Sequence, residues 1–305
     1  AFTNFKIVFP TKLLNPIFLI VGIILGGTLN VTLLYKIHLW IFSSLAMLIC
    51  TIVSTILAGY YFFKVCKFSK FISVLAALPG AFVPISAALL EFGKSKNDKG
   101  VLIPQATRVI FIVSFVPIFF INNLGFSEMT GYNYENIYNE RYFLEILFLL
   151  IICFIFANIL KNYKIPSPTL VGAMALSGAF YTFEIINARF PDAFINIAFI
   201  FLGTALGTRL NGLKIKELLF FIFHGIIVSS ILVIVAMITA YLLTYIGFEF
   251  IPTFLSFAPG GIHEMVVISV AYNIDPIFVS YHHFLRIFII VLFLPFLLSK
   301  FRKTN

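Results

Sequence analysis

Long apolar stretches alternate along the chain with short clusters of charge. Runs free of Lys, Arg, Asp and Glu cover residues 13–35, 37–63, 71–90, 109–127, 146–160, 165–183, 193–208 and 218–248. A last run, 250–299, is interrupted only by Glu264, Asp275 and Arg286. A helix needs roughly 20 apolar residues to cross about 30 Å of hydrocarbon, so most of these runs predict transmembrane helices outright. Runs 146–160 and 193–208 reach that length only with flanking residues. The pattern predicts an all-α polytopic membrane protein.

The pattern also repeats, the sequence sign of a duplicated architecture. At a shift of 181, the segment beginning Phe9-Pro10 overlies the one beginning Phe190-Pro191. Nine of 22 positions are identical, among them Asn15 with Asn196, Gly22 with Gly203 and Gly26 with Gly207. At a shift of 180, Leu78-Pro79-Gly80 meets Ala258-Pro259-Gly260, and at 178 Arg108 meets Arg286 and Pro117 meets Pro295. Chance likeness between apolar helices shares Leu and Ile, not Phe-Pro, paired Gly, Pro-Gly and Arg at a nearly constant offset. The organisation predicted is a first repeat over 1–126, an external linker over 127–141 and a second repeat over 142–305. The counterpart of 142–183 would precede residue 1, so the first repeat is expected to lack its first two helices.

Charge sets the orientation. Treated as hairpins that dip into the bilayer and return, the segments around Pro79-Gly80 and Pro259-Gly260 leave 16 lysines and arginines on one side. Only Lys36, Arg141 and Arg189 then lie on the other. Treated as full crossings, the same residues divide 9 to 10. Cytoplasmic loops are enriched in Lys and Arg, so the re-entrant reading is favoured over a Pro-kinked spanning helix. It gives an odd number of crossings per repeat, hence inverted repeats, eight crossings and two re-entrant hairpins in this chain, and cytoplasmic termini.

Composition narrows the class further. The 305 residues are 61% hydrophobic and 11% charged, with a mean hydropathy of +1.07. Soluble domains carry about 25% charged residues, so a soluble enzyme, a disulfide scaffold and a disordered regulator are excluded. The net charge of +9 sits in loop clusters, with no basic stripe or recognition motif for nucleic acid. Cys50, Cys66 and Cys153 read as bland thiols in or beside apolar segments.

Candidate chemistry gathers at the two breaks. Inverted repeats with discontinuous helices are a plan of secondary transporters, with substrate held near the midplane. Non-helical backbone at that depth survives only inside protein or along a watery cavity. Pro259, Gly260 and Gly261, like Pro79 and Gly80, remove donors, permit positive φ and let backbone approach a ligand. His263 and Glu264 follow the second break directly, and ionisable residues at such depth are functional candidates. Arg286 has His282 at i−4 and His283 at i−3, and Arg108 has Gln105 at i−3. Two arginines at matching positions suit a carboxylate, sulfonate or phosphate. The competing account is structural: snorkelling, or an ion pair of Arg286 with Glu264. Gly22/Gly26 and Gly203/Gly207 are GxxxG pairs that allow close helix approach. No HExxH, Cys-rich spacing, Ser/His/Asp elbow or P-loop is present, so no metal, cofactor or catalytic residue is expected.

Two copies of GxxxG, a long helix, a Pro-Gly break and an Arg ahead of a Pro-bearing apolar helix resemble the AbrB-duplication membrane protein family. The second copy carries Pro259-Gly260-Gly261, Glu264-Met265, Asp275, His282-His283 and Arg286. The first keeps Pro79, Gly80, Gln105 and Arg108, but has Ala81 for the second Gly and Pro84-Ile85 for Glu-Met. Bacterial members are labelled regulators of aidB expression or, by older naming, ammonia monooxygenases. The resemblance implies a multipass protein of the bacterial inner membrane. The reading reached is a secondary transporter or exporter of a small anionic solute, with a membrane regulator of gene expression and a membrane oxygenase as alternatives. Expected partners are the lipid bilayer, the solute and a coupling ion, without nucleic acid; homo-oligomerisation stays open.

Overall fold

The computed structural model describes residues 10–29, 31, 35–91, 98–124, 140–162, 168–208, 213–272 and 274–302. These residues are predominantly helical, with no strand among them. The helices are α1 (Leu14–Gly26), α2 (Ile41–Lys64), α3 (Lys70–Ala77), α4 (Phe82–Glu91), α5 (Asp98–Leu124), α6 (Glu140–Lys161), α7 (Pro168–Thr182), α8 (Asp192–Gly207), α9 (Ile215–Thr244), α10 (Phe250–Phe257), α11 (Ile262–Ala271) and α12 (Pro276–Arg302). The expected linker 127–141 lies, but for its last two residues, outside the described residues.

Side-chain distribution across the long helices is inverted relative to a soluble protein. On α2 the outward face carries Ile41, Leu45, Ile49, Ile52 and Ile56, all exposed, at helical spacing. Its inward face carries Ser43, Ser44, Met47, Cys50, Ser54 and Ala58. On α9, Leu219, Phe223, Ile226, Ile234 and Ile238 face outward, while Gly225, Ser229, Ala236 and Ala240 are buried. Small and weakly polar residues inside, with large apolar ones outside, is how helices pack when the solvent is lipid. Five helical spans are long and apolar enough to cross a membrane: Ile37–Lys64, Asp98–Phe119, Tyr142–Lys161, Ile215–Thr244 and Pro276–Leu294. With 13, 15 and 16 residues, α1, α7 and α8 fall short of that length. In α1, ten of 13 residues are buried, as in a helix enclosed by its neighbours.

Contacts gather the chain at two ends of the bundle. At one, Lys36 pairs with Asp275 at 3.6 Å. There the Trp40 ring meets Phe278 edge-on at 5.2 Å, and Leu29 and Phe248 join the same cluster. At the other, Phe68 lies 5.9 Å from Phe221, Gly100 sits against both rings, and Lys99 approaches Glu217 at 4.0 Å.

Cys50 and Cys153 are buried, while Cys66, just past α2, is half-buried. Burial pushes the Cys66 thiol up to about 11. Because the thiolate is the nucleophile, maleimide modification of the native protein is expected at Cys66, accelerating about tenfold per pH unit toward that value. Mass spectrometry of the labelled protein checks this; fast modification of all three cysteines at pH 7 contradicts it.

Candidate functional site

Each broken pair is interrupted where proline demands it. Proline has no N–H and disfavours the helical conformation of the residue before it. Accordingly α3 stops at Leu78 (ψ 115) ahead of Pro79, and α10 stops at Ala258 (ψ 138) ahead of Pro259. The last carbonyls of α3 and α10 are thereby left without intrahelical partners at depth.

Arginines supply those partners. Arg108, on α5, donates from Nη1 to the Ala77 carbonyl at 3.4 Å and from Nη2 to Leu78 at 2.8 Å. Arg286, on α12, donates from Nη1 to Phe257 at 3.3 Å and Ala258 at 3.0 Å, and from Nη2 to Gly260 at 3.2 Å. One turn earlier, Gln105 Nε2 donates to the Leu75 carbonyl and His283 Nε2 to Leu255. The acceptors are related by 180 residues and the donors by 178, so one pattern of hydrogen bonds occurs twice along the chain. A cation at a helix C-terminus is favoured by the partial negative charge there, by up to about 2 kcal/mol when partly buried.

His283 holds its arginine in place. A carbonyl only accepts, so Nε2 carries the hydrogen, and Nδ1 accepts from Arg286 Nη2 at 2.7 Å. His282 takes no part in this. Its Nδ1 donates to the Phe278 carbonyl at 2.8 Å, and Nε2 meets Ser43 Oγ on α2 at 2.9 Å. Sequence spacing placed both histidines beside Arg286; the structure brings His283 there and turns His282 to α2 and the Trp40 cluster.

Both arginines are buried, at 2% and 1% exposure, and neither forms an ion pair with a carboxylate among the described residues. The Arg286–Glu264 pair weighed from sequence is not formed. In each guanidinium Nε lacks a hydrogen-bond partner. Two cations thus sit in the interior with carbonyl dipoles and, at Arg286, the neutral His283 ring against them, a costly arrangement that an anion would relieve.

The glycines of the breaks have separate tasks. Gly80 adopts φ +70, and a Cβ there would come within 2.8 Å of Arg286 Cζ. The break of the first half therefore carries the guanidinium of the second. Gly260 and Gly261 do not take positive φ. A Cβ at Gly260 would lie 2.8 Å from Met265 Cε, and one at Gly261 would overlap the Glu264 carboxylate. The positive φ anticipated for Pro-Gly-Gly occurs only at Gly80; the other two glycines clear space for side chains of α11.

A cavity of about 460 Å³ lies beside this arrangement, within the usual range of about 300–1,000 Å³ for small-molecule sites. Gly80 and Arg108 of the first half and Gly203, Gly207, Gly261 and Glu264 of the second line it, with Leu25, Phe82, Leu202 and Ile287 among its apolar walls. Gly22 and Gly26 are elsewhere, pressed onto α7: a Cβ at Gly22 would meet the Leu170 carbonyl at 2.6 Å. At Gly203 and Gly207 it would meet nothing within 4 Å. Leu202 and Phe82 carried no sequence signal beyond apolarity. His263 opens α11 beside Ile262, but its side chain lies outside the described residues. No group of three or more His, Cys, Asp or Glu able to hold a metal occurs among the described residues.

Bacillus subtilis (strain 168) YhjN, described as an uncharacterized protein, is 25% identical over 291 residues, spanning 91% of this chain and 75% of that protein. A family model described as "Transition state regulatory protein AbrB" matches residues 1–302. With nearly the whole chain matched, this membrane-type helical protein belongs to the AbrB family.

Proposed function

We propose that this protein is a secondary transporter carrying a small anionic solute across the bilayer between two inverted repeats. The observation that carries the reading is the pair of buried, carboxylate-free arginines at repeat-related positions beside a cavity walled by both halves. Supporting the re-entrant geometry, residues 70–91 lie between Phe68 and Lys99 at one end of the bundle, and 250–271 lie between Phe248 and Asp275 at the other. Supporting inversion, α1 ends toward the Lys36–Asp275 end through Leu29, whereas α8 ends where α9 begins. The cavity reaches Leu218 and Ile222 near the start of α9, the Lys-rich end. The opposite end is closed by Lys36–Asp275, the Trp40 cluster and a Ser44–Tyr281 hydrogen bond of 3.0 Å. In this reading the solute site faces the cytoplasm, with Glu264 and His263 coupling ion or proton movement. The regulatory wording of the family description is met through the solute carried, whose level changes gene expression indirectly.

Reconstituted proteoliposomes test the proposal. Counterflow with radiolabelled carboxylates, sulfonates and phosphate is expected to show flux for at least one class. Gly203→Trp, which puts a bulky side chain at the cavity wall while leaving both arginines in the sequence, is expected to lower that flux by tenfold or more while the protein stays folded. Absence of flux for every class under sodium, proton and anion gradients overturns the reading.

A further inference from the structure

The cavity has a charge pattern that a plain anion does not satisfy. Among the described residues that line it, Arg108 and Glu264 are the ionisable ones, and the two are not paired with each other. Arg108 spends one N–H of each terminal nitrogen on Ala77 and Leu78. Its Nε and the two remaining N–H groups are uncommitted, and Nε is a buried donor with no partner. Glu264, partly buried, stands in the first turn of α11 with its carboxylate over Gly261, and has no hydrogen-bond or ion-pair partner among the described residues. Phe82, Val83, Leu102, Ile103, Leu202 and Ile287 make up much of the remaining wall. A carboxylate drawn to Arg108 would share the cavity with the Glu264 carboxylate, which repels it. A ligand carrying one charge of each sign satisfies both groups, and its apolar body fills the rest.

We infer that the solute bound in this cavity is an apolar zwitterion, an amino-acid-like molecule whose carboxylate is taken by Arg108 and whose ammonium is taken by Glu264. This rests on the transport reading above, keeps the carboxylate as the group that is recognised, and replaces the plain anion by a molecule that also bears a positive charge. Arg286 is not on the cavity wall and serves as a cap. Glu264 then acts as a ligand for the substrate's own cation rather than as the carrier of a separate one. A site built for two charges discriminates strongly against analogues lacking either, because one buried protein group is then left unpaired.

The test is a binding series on the purified protein in detergent, read by thermal shift and by isothermal titration. Leucine, phenylalanine and tryptophan are each compared with their des-amino acid and with their decarboxylated amine. At least one amino acid is expected to bind ten times or more tightly than both of its singly charged analogues. In Glu264→Gln, which keeps the side-chain volume, the preference over the des-amino acid is expected to fall to within about twofold, with binding of the des-amino acid maintained. If the des-amino acids bind the wild type as tightly as the amino acids, the zwitterion is overturned and the anion reading stands. If no carboxylate in the series binds at all, both fall. A preference unchanged by Glu264→Gln removes Glu264 from the site and overturns the inference.

Discussion

Arg286→Leu is expected to destabilise the fold more than any other single substitution in the chain. The guanidinium donates to the carbonyls of Phe257, Ala258 and Gly260 and to His283 Nδ1. Leucine would leave these acceptors buried with nothing to accept from. Removing one partner of a buried charged network costs about 3–5 kcal/mol, against a total stability of about 5–15 kcal/mol. A fall of about 6–20 °C in the melting midpoint is expected, at about 2–4 °C per kcal/mol for a chain of this class. Arg286→Lys keeps the charge but offers one nitrogen where the site uses two, so an intermediate fall is expected. Arg108→Leu, which orphans two carbonyls and no histidine, should lie between Arg286→Lys and Arg286→Leu. Fluorescence-detected size exclusion after a temperature series measures all three. An Arg286→Leu protein melting within 2 °C of the wild type would show that the arginine does not cap the break.

Gly26→Val should be the second most damaging change, and its repeat counterpart Gly207→Val close to harmless. A Cβ at Gly26 would overlap Ser177 Oγ and come within 2.6 Å of Gly178 N and Met174 O. Two of those three are backbone atoms that no rotamer change can move. The helices α1 and α7 would have to separate along a face that buries Ala173, Met174 and Ser177. Overpacking of this kind costs about 1–3 kcal/mol and more when backbone must shift. At Gly207 an added side chain enters open space, and the loss of a flexible residue from a helix offsets much of any cost. Midpoints of Gly22→Val and Gly26→Val at least 5 °C below those of Gly203→Val and Gly207→Val are the expected outcome. Equal midpoints in all four would mean that α1 does not pack closely on α7.

That contrast marks where sequence reading reaches its limit. The offset of 181 residues matches Gly22/Gly26 with Gly203/Gly207 in sequence alone. Packing depends on what stands opposite. Beside α1 is α7, whereas α8 has nothing against its glycine pair among the described residues. The prolines were legible because a missing N–H acts locally, and both helices end where Pro79 and Pro259 require. The arginines were legible as charges out of place in an apolar run. Their partners were not, since hydrogen bonds to backbone carbonyls some 30 residues away leave no trace in residue type. His282 and His283 show the same limit: adjacent positions on α12 point 100° apart, and only the neighbouring α2 and α10 decide which ring serves the arginine. The apolar runs indicated membrane helices, but 13 to 16 residues in α1, α7 and α8 left the number of crossings to a geometry that hydropathy does not encode.

The seating of Arg286 over Gly80 ties the fates of the two halves together. One half supplies a charge and the other the bare patch of main chain on which that charge rests, so neither break can be withdrawn without stranding the cation. For the carrier proposed above, rearrangement would then pivot elsewhere, and the Lys36–Asp275 contact, solvent-accessible and cheap to part, is the natural place for the first slippage. The arginine-bearing centre would behave as an axle: fixed in composition, shared by both halves, and turning only as a whole.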